Sequence, residues 1–447
     1  MKEIMNNSDE QSETTRRNQD FFGETSIGSG NSEETEYVDI HEIHVVKAIE
    51  KKLNTNHFIV LNYNLIALPD KFGLLGEYRS LNVSFLNDQG SKENLHFYVK
   101  YFPQQESTAT FAEKIGALKK EIFVYNLLEE FSEKGVSVSV VPNCYVVAPR
   151  KYLILDDLSN EGYKVVDKHT FLEYDSVLVV LGTLAKLHAS TFIFEDKIGK
   201  QLLDLYYNDL EESFFNNKKD FANSKGIESC VKCIIEEIDL FGFPKKLFSG
   251  KYFSEVAEKM CYKIYDMVKP SKRFKNVVNH GDMWATNILF KYDKKTEKPI
   301  CCKLVNFECA RYSPPALDVL AFLYLTTSRD FRKKYMYEVV GMYYSYLEKN
   351  LKQAGLKIED VLPFTDFMES CEELKLFAII QAAFYFPLIL IDSNEIDMYF
   401  SDLEMNKNVL FDNRIHLVLG RKDKDDFYKR RLIESIADLK DVCELAM

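Results

Sequence analysis

The order of the predicted secondary-structure elements restricts the fold of this chain more than any other feature of its sequence. Alternating apolar and polar residues predict strands in the first third of the chain, and one helical pattern interrupts them. The apolar residues of that pattern recur every three or four positions and form one face. The predicted elements are helices at Ile40–Leu53 and Thr108–Glu130 and strands at His57–Leu68, Tyr78–Leu86, Leu95–Phe102, Val136–Val147 and Tyr152–Leu155.

The rest of the chain has helical periodicity, apart from two short β-like segments at Ile288–Lys291 and Lys303–Asn306. Strands around one helix, followed by a long helical part, are typical of an α+β protein. We therefore predict a small β-rich N-terminal lobe over residues 38–156 and a large helical C-terminal lobe over residues 157–447. Residues 1–37 are predicted to be disordered, because their Ser, Asn, Glu and Thr cannot bury enough apolar surface.

Composition argues against several partners and compartments. The net charge of −12 argues against nucleic acid or an anionic membrane as the main partner, since both require a basic surface. Nine cysteines with no regular spacing indicate a reduced, cytoplasmic protein, and Cys230 and Cys233 have no second pair at zinc spacing. The N-terminus has no apolar signal segment, and the most apolar stretch, Leu374–Ile391, is interpreted as a buried core helix. The oligomeric state is left open.

The segment His280-Gly-Asp-Met-Trp-Ala-Thr-Asn287 precedes an apolar strand and indicates phosphoryl-transfer chemistry. Asp282 can orient and deprotonate an attacking hydroxyl, and the amide oxygen of Asn287 is a suitable ligand for Mg²⁺. The alternative is a polar loop that caps the strand. An acid and an amide at this spacing are more specific than a lone glycine-rich loop, which favours the catalytic interpretation.

This segment resembles the His-Gly-Asp-x-Trp-x-x-Asn loop of the ecdysteroid kinase-like family, whose relatives include choline and aminoglycoside kinases. Further landmarks follow in the order of that family over about residues 50–430. The resemblance implies a two-lobed, protein-kinase-like fold that uses ATP and Mg²⁺. It also implies phosphorylation of a small hydroxylated acceptor, such as a steroid-like or other lipophilic alcohol.

The resemblance implies a set of nucleotide-binding residues as well. Gly73 and Gly76 lie where the family has its nucleotide loop, although their spacing also suits a plain hairpin turn. Lys100 would hold the α and β phosphates and Glu121 would orient it through an ion pair; the alternative is two unrelated surface charges. The segment that joins the lobes is Leu155, Asp156 and Asp157. Its backbone groups would meet the adenine edge, although Asp157 also suits a helix cap or hinge.

The segment Leu304-Val-Asn306-Phe-Glu308 departs from the family pattern, in which an aspartate at the position of Asn306 binds Mg²⁺. The amide oxygen of Asn306 can still act as a ligand, but the negative charge opposite the ion is missing, so binding of Mg²⁺–ATP should be weaker. Glu308 would lie on the same side as Asn306 only if the backbone stayed extended. Asp318 matches a family aspartate that we expect to be structural.

Other candidate residues also have a packing explanation. His188 is interpreted as a core histidine rather than an acid–base residue. Three aromatic clusters either wall an apolar acceptor pocket or pack in the core. The clusters are Tyr206-Tyr207, Phe214-Phe215 and Phe384-Tyr385-Phe386.

Two functions from different classes remain open. The first is a small-molecule kinase with Asp282 as base and with Asn287 and Asn306 as metal ligands. The second is a pseudokinase that keeps the fold as a binding or regulatory module, and Asn306 is the reason to consider it. We favour the enzyme, because the other landmarks are present. A protein kinase is disfavoured, because no Ala-Pro-Glu-like segment follows Asn306.

Overall fold

The computed structural model describes residues 40–68, 76–103, 106–218, 223–392, 395 and 409–445. The predicted disordered tail at residues 1–37 and the candidate residue Gly73 lie outside this set. The described residues divide into two compact units. A sheet unit consists of the described residues up to 103 together with Asn143–Asp157, and a helical unit consists of those in 106–142 and from Leu158 onward. The predicted α+β class is confirmed by this composition of the two units.

The sheet unit is a five-stranded antiparallel sheet with the strand order β1-β2-β3-β5-β4. Its apolar residues and the buried side of helix α1, with Val45, Ala48 and Ile49, form one hydrophobic core. The bounds are α1 Glu42–Leu53, β1 Ile59–Ala67, β2 Glu77–Leu86, β3 Lys92–Tyr101, β4 Cys144–Ala148 and β5 Tyr152–Asp156.

The helical unit contains long buried helices and two small sheets. Strand β10 pairs with β7, and a second sheet has the order β6-β8-β9. The strands of the helical unit are β6 Tyr163–Val165, β7 Val277–Asn279, β8 Ile288–Tyr292, β9 Pro299–Leu304 and β10 Arg311–Ser313. Its helices are α2 Glu106–Lys114, α3 Ala117–Glu133, α4 Tyr174–Ile198, α5 Leu202–Leu210, α6 Ser224–Leu240, α7 Phe253–Cys261, α8 Ile264–Met267, α9 Ala316–Thr326, α10 Arg329–Gln353, α11 Ile358–Val361, α12 Phe364–Ile389, α13 Ile415–Arg421 and α14 Asp426–Leu445.

Strand β4 is shorter than predicted. The sequence pattern predicted a strand over Val136–Val147, but β4 begins at Cys144. The backbone before it bonds within the helical unit instead. The carbonyl of Val140 accepts from the N–H of Leu304 at 2.9 Å, and the Lys303 ammonium donates to the carbonyls on either side of Val140 at 2.6 and 3.1 Å. The apolar run therefore has the sequence pattern of a strand, although about half of it forms a loop in the structure.

Helix α3, which the sequence placed in the N-terminal lobe, groups with the helical unit. Phe131 of α3 stacks on Phe194 of α4 with 4.3 Å between ring centroids. Tyr125 of α3 meets the edge of Phe307, with centroids 6.2 Å apart. Aromatic contacts of this size anchor a helix firmly. Glu121, which α3 carries, therefore belongs to the same unit as the loop at residues 280–287.

Among the described residues, one helix is long and apolar enough to cross a membrane, namely α4 at Tyr174–Ile198. Its most apolar window is 72% buried inside the protein, which is typical of a core helix. The apolar stretch at Leu374–Ile391 falls mostly within α12, whose side chains are largely buried, as the sequence predicted.

Candidate active site

The loop at residues 280–287 starts where a short, fully buried strand pair ends. Asn279, the last residue of β7, lies opposite Arg311, the first residue of β10. The side-chain amide of Asn279 donates to the carbonyl of Ser313 at 2.6 Å and to its hydroxyl at 3.1 Å. Because such buried hydrogen bonds cost free energy when broken, they fix the point at which the loop leaves the strand.

Asp318, at the start of α9, holds the loop backbone. Its Oδ2 accepts from the N–H of His280 at 2.6 Å, and its Oδ1 accepts from the N–H of Gly281 at 2.9 Å. His188 lies 3.3 Å from the same carboxylate and 2.7 Å from the hydroxyl of Tyr343. Burial alone would raise the pKa of Asp318, but His188, His280 and the Gly281 N–H hold that pKa below its usual value. The expectations of a structural Asp318 and a buried core His188 are thus confirmed.

The ring of His280 links the loop to the segment after β9. Its Nδ1 accepts from the N–H of Asp282 at 3.2 Å. We infer that Nε2 carries the proton and donates to the carbonyl of Val305, 2.8 Å away. The ring also lies 4.5 Å from the centroid of Phe307. The histidine therefore fixes the backbone of Asp282 against the segment that follows β9.

Gly281 has a conformation and surroundings that exclude other residues. Its φ is +80°, in the left-handed region. A Cβ atom at this position would lie 2.0 Å from the carbonyl oxygen of Cys309, a backbone atom that cannot move aside. Gln381 donates to the carbonyl of Gly281 at 3.2 Å. The loop thus reaches its position only because residue 281 has no side chain.

Gly281→Ala is expected to destabilise the helical unit by about 2–4 kcal/mol, because a strained φ and an overlap with backbone both have to be relieved. Phosphotransfer activity should fall with it, since Asp282 is the next residue. Thermal unfolding followed by circular dichroism measures the first effect and a kinase assay the second. Gly341→Ala is a matched control, because Gly341 lies inside α10 with no atom within 4 Å of its would-be Cβ. It should be neutral or slightly stabilising.

The carboxyl group of Asp282 has one bonded and one unbonded oxygen. Its Oδ2 accepts from the amide of Asn287 at 2.7 Å. Its Oδ1 is shielded from solvent and has no hydrogen-bond partner among the described residues. Burial raises the pKa of Asp282 to about 7; the Asn287 hydrogen bond and Arg311 oppose this rise, and Glu308 adds to it. A carboxyl with this pKa is suited to take up a proton near neutral pH.

The amide groups of Asn287 and Asn306 lie side by side. The Nδ2 of Asn287 donates both to the carbonyl of Asp282, at 2.8 Å, and to its carboxylate, so its Oδ1 must face away. The Nδ2 of Asn306 lies 3.5 Å from that oxygen. Asp282, Asn287 and Asn306, which the sequence proposed as one catalytic and metal-binding set, therefore lie together. Amide oxygens suit a hard divalent cation, although they carry no charge.

The segment around Asn306 is a turn. Strand β9 ends at Leu304, and Asn306 has a left-handed backbone with φ of 71°. Asparagine tolerates this conformation better than most residues, because its short polar side chain can bond locally. The backbone is not extended from Asn306 to Glu308, so strand alternation does not place the Glu308 side chain on the same side as that of Asn306. Glu308 nevertheless acts on the site, because its charge raises the pKa of Asp282.

Few charged ligands surround the paired amides. In the part of the chain that the structure describes, no three His, Cys, Asp or Glu side chains come together as a metal site. This also holds for Cys230 and Cys233, which are buried residues of α6. A divalent cation beside Asn287 and Asn306 would thus depend on amide oxygens, on nearby carboxylates and on the phosphates of a bound nucleotide.

The candidate nucleotide residues of the sheet unit lie on its central strands. Lys100, on β3, is 4% exposed and pairs across the sheet with Tyr78 and Leu153. Gly76 precedes β2, and a Cβ there would overlap the ring of Tyr78. Lys100 belongs to the sheet unit and Glu121 to the helical unit. Their predicted ion pair therefore stays a prediction.

Asp156 has a structural role within the sheet unit. Its carboxylate accepts from Lys52 at 2.8 Å, from Tyr145, and from the N–H of Asn143 at 2.9 Å. Its own N–H donates to the carbonyl of Asn143 at 3.0 Å. These bonds hold Asp156 within the sheet unit, and its predicted contact with the adenine edge stays a prediction. The nucleotide contacts predicted for Leu155 and Asp157 stay predictions.

The aromatic clusters separate into core and surface residues. Phe215, Phe384 and Phe386 are 1–2% exposed and belong to the core. Phe214 and Tyr385 are half-buried, and their rings meet edge to face at 6.5 Å. Burial raises the pKa of Tyr385 well above its usual value, and the charges of Cys309 and Asp282 contribute, so this hydroxyl lies near the carboxyl of Asp282.

Arg311, Glu212 and Gln381 are residues of the site that the sequence did not single out. Arg311 opens β10, Glu212 follows α5, and Gln381 lies in the middle of α12. No local pattern marks them, because they come from three distant segments. The one signal that the sequence offered was an arginine five residues after Asn306.

With the site described, comparison with known proteins decides the family. The family model of the ecdysteroid kinase-like family matches residues 77–356, more than half of the chain. The chain belongs to the ecdysteroid kinase-like family. The resemblance read from its loop is thereby confirmed, and membership indicates a kinase-like phosphotransferase of small molecules. No curated protein matched this ecdysteroid kinase-like chain.

Several solved structures are similar to this ecdysteroid kinase-like chain at low identity. A choline/ethanolamine kinase family protein from Mesorhizobium loti is 11% identical over 84% of this chain and 92% of its own, with a TM-score of 0.35. A GDP complex of an aminoglycoside 2′-phosphotransferase is 13% identical over 89% and 98%, with a TM-score of 0.37. A microcompartment-associated aminopropanol kinase is 10% identical over 86% and 94%, with a TM-score of 0.37.

Proposed function

We propose that this chain is a cytoplasmic, ATP-dependent phosphotransferase that acts on the hydroxyl of a small, lipophilic acceptor. The observation that carries the proposal is the meeting of Asp282, Asn287 and Asn306 in one partly buried arrangement. In-line phosphoryl transfer requires a carboxylate that can take a proton and, beside it, oxygen atoms that can hold a cation.

Asp282 would act as the base. Its Oδ2 is fixed by Asn287, while its Oδ1 has no partner among the described residues and can accept the proton of an acceptor hydroxyl. With a pKa of about 7, the carboxyl of Asp282 is divided about equally between its acid and base forms at neutral pH. Activity should therefore fall as the pH drops below about 7, where Asp282 is protonated in the free enzyme.

The remaining residues would bind and orient the nucleotide. Asn287 and Asn306 would hold Mg²⁺, which when bound neutralises charge on the transferred phosphate. Lys100, oriented by Glu121, would hold the α and β phosphates. In this proposal Gly73 and Gly76 would approach the phosphates. The backbone of Leu155, Asp156 and Asp157 would meet the base. The half-buried rings of Phe214 and Tyr385 support an apolar acceptor.

A pseudokinase is the second candidate, and Asn306 is the specific observation in its favour. Replacing the family's aspartate removes one negative charge beside the cation, and the paired amides supply none. The two candidates differ in one measurement. The enzyme converts ATP and an acceptor to ADP and a phosphorylated product in Mg²⁺ or Mn²⁺. The pseudokinase forms no product, whether or not it binds Mg²⁺–ATP.

Asn306→Asp is expected to tighten binding of Mg²⁺–ATP by about tenfold, since a carboxylate next to the cation restores an attractive charge. A thermal-shift titration with Mg²⁺–ATP measures the affinity. The stabilisation by a bound ligand grows with the logarithm of the ligand concentration divided by its dissociation constant, and the melting temperature rises with it. Asn94→Asp is the matched control. Asn94 is exposed on β3 and accepts from Ser84, a contact that a carboxylate preserves. Equal affinities for the Asn306→Asp variant and the native chain would contradict the metal-ligand assignment.

A further inference from the structure

Arg311, the first residue of β10, is a buried arginine whose two Nη groups are not hydrogen-bonded. It is 1% exposed, and its Nε lies 3.2 Å from a carboxylate oxygen of Glu212 and 3.3 Å from the carbonyl of Cys309. Its Nη1 and Nη2 are shielded from solvent and have no hydrogen-bond partner among the described residues. By contrast, the Nη atoms of the buried Arg431 donate to three backbone carbonyls at 2.6 to 2.9 Å. Since unbonded buried donors cost free energy, the Nη groups of Arg311 indicate a ligand that the fold does not supply.

Gln381, in the middle of α12, has an unbonded acceptor beside the same loop. It is fully buried, and its Nε2 donates to the carbonyl of Gly281 at 3.2 Å. Its Oε1 is shielded from solvent and has no partner in the part of the chain that the structure describes. The Nε of Arg311 would lie 3.2 Å from a Cβ on Gly281, so this side chain reaches the same residue from β10. Two incompletely bonded side chains therefore meet at Gly281, one residue before Asp282.

The unbonded atoms of Arg311, Gln381 and Asp282 form a mixed set of donors and acceptors. The Oδ1 of Asp282 and the Oε1 of Gln381 accept, and the two Nη groups of Arg311 donate. Two hydroxyl groups on neighbouring carbon atoms complement this set. The first donates to Asp282, and the second donates to Gln381 while it accepts from Arg311. A carbonyl or ether oxygen in the second place would leave the Oε1 of Gln381 unbonded, because it has no hydrogen to donate.

Charge favours a hydroxyl over a carboxylate as the second ligand group. The charge of Arg311 is already balanced by Glu212, and two further acids, Asp282 and Glu308, lie close by. These acids would repel an anionic ligand group in a buried site, where water screens charge poorly. A carboxylate also has no hydrogen for the Oε1 of Gln381. The arrangement therefore suits a second group that is polar and uncharged.

The surroundings of this polar group are aromatic. The guanidinium carbon of Arg311 lies 5.3 and 5.7 Å from the ring centroids of Phe215 and Phe377. The half-buried rings of Phe214 and Tyr385 meet edge to face, with centroids 6.5 Å apart. An acceptor would thus meet apolar rings beyond its two hydroxyl groups, which agrees with a lipophilic skeleton.

We propose that Arg311 and Gln381 form an acceptor subsite, which binds a second, uncharged hydroxyl on the carbon next to the phosphorylated one. This inference rests on the proposed function, which places the reacting hydroxyl at Asp282. The Oδ1 of Asp282 is also shielded from solvent, so a ligand that reaches the base reaches the subsite as well. In the transfer, the first hydroxyl gives its proton to Asp282, its oxygen bonds to the γ-phosphorus, and ADP leaves. The second hydroxyl keeps its proton.

The preference for a vicinal diol over the matched alcohol tests the subsite. The acceptors are compared in pairs that share an octane, phenylethane or cyclohexane skeleton and carry either the diol or a single hydroxyl. With at least one skeleton, kcat/KM of the native chain should be about thirtyfold higher for the diol, because the alcohol leaves buried polar groups unbonded. Transfer of labelled γ-phosphate in Mg²⁺ measures the ratio. A ratio below about threefold on every skeleton would overturn the subsite.

Variants show whether the preference comes from these side chains. Arg311→Met combined with Glu212→Gln removes the Nη donors without leaving a buried charge unpaired, and should reduce the ratio to about threefold or less. Gln381→Met should also reduce the ratio, and it decides alone if the double variant does not fold. General damage lowers activity toward both members of a pair and leaves their ratio unchanged. Gln353→Met, at the exposed end of α10, is the matched control and should keep the native ratio. A native ratio in a folded double variant or in Gln381→Met would contradict the assignment.

Binding without turnover separates this inference from the proposed function. Trp284 is the only tryptophan of the chain and lies half-buried in the loop at residues 280–287, so its fluorescence reports binding beside Asp282. Titration with each diol and its matched alcohol gives a pair of dissociation constants. If a diol binds at least about tenfold more tightly while the native chain transfers no phosphate, the proposed function fails and the subsite stands. Equal constants in every pair, or no binding of any diol, would overturn the subsite even in a chain that transfers phosphate.

Discussion

Replacing Asp282 by asparagine is expected to reduce kcat about a thousandfold, because an asparagine cannot take up the proton of the attacking hydroxyl. The amide has nearly the same shape, so the loop contacts of residues 280–287 should persist. Binding of Mg²⁺–ATP should be retained within about threefold. The measurement is steady-state formation of ADP and phosphorylated acceptor, together with a thermal-shift titration for the nucleotide.

The stability of the Asp282→Asn chain separates a catalytic effect from unfolding. Since burial raises the pKa of Asp282 to about 7, stability due to this carboxyl is lost progressively as the pH rises from about 4 to about 7. The neutral amide avoids this loss, so Asp282→Asn should be more stable than the native chain over that range and above it. Asp239→Asn is a control on the exposed end of α6 and should be active. A kcat for Asp282→Asn within tenfold of the native value would exclude Asp282 as the base.

Replacing Glu237 by glutamine is expected to stabilise the protein by about 4–5 kcal/mol at pH 9 and by less than about 1 kcal/mol at pH 5. Glu237 is fully buried in α6. Its Oε1 accepts from the thiol of Cys233 at 3.4 Å, and its Oε2 has no partner among the described residues. Burial raises the pKa of Glu237 to about 8.

The direction of this effect follows from proton uptake. Between about pH 4.5 and pH 8 the folded chain holds a proton on Glu237 that the unfolded chain has released. Stability due to this group is therefore lost progressively as the pH rises through that range, and glutamine, which never ionises, avoids the loss. Denaturant unfolding at pH 5, 7 and 9 measures it. Glu236→Gln, at the exposed neighbouring position, should show no such pH dependence, and a flat difference for Glu237→Gln would refute the buried, neutral carboxyl.

The sequence could bring Asp282 and Asn287 together because they lie in one short segment. Asp282 and Asn287 are five residues apart, and a single loop and 3₁₀ turn bring them together. Asn306 was placed correctly because β8 and β9 form a hairpin that returns the chain to the loop. Asp318 was expected to be structural, and its bonds to the loop backbone agree with that.

Other features could not be predicted, because they depend on contacts between distant segments. The apolar run at Val136–Val147 suits a strand, but its first half lies in the helical unit, where the carbonyl of Val140 bonds to the N–H of Leu304 in β9. Helix α3 follows the strands in sequence, yet aromatic stacking groups it with the helical unit. Arg311 is conspicuous only once Glu212, Cys309 and Gly281 are seen around it.

Transfer of labelled γ-phosphate from ATP to a panel of hydroxylated metabolites tests the central claim most directly. The full chain is assayed in Mg²⁺ and in Mn²⁺ beside its Asp282→Asn variant. Acceptor-dependent labelling by the native chain, absent from the variant, is the predicted result. Labelling that is equal in both, or absent from the native chain with every acceptor in either metal, would contradict a phosphotransferase that uses Asp282 as its base.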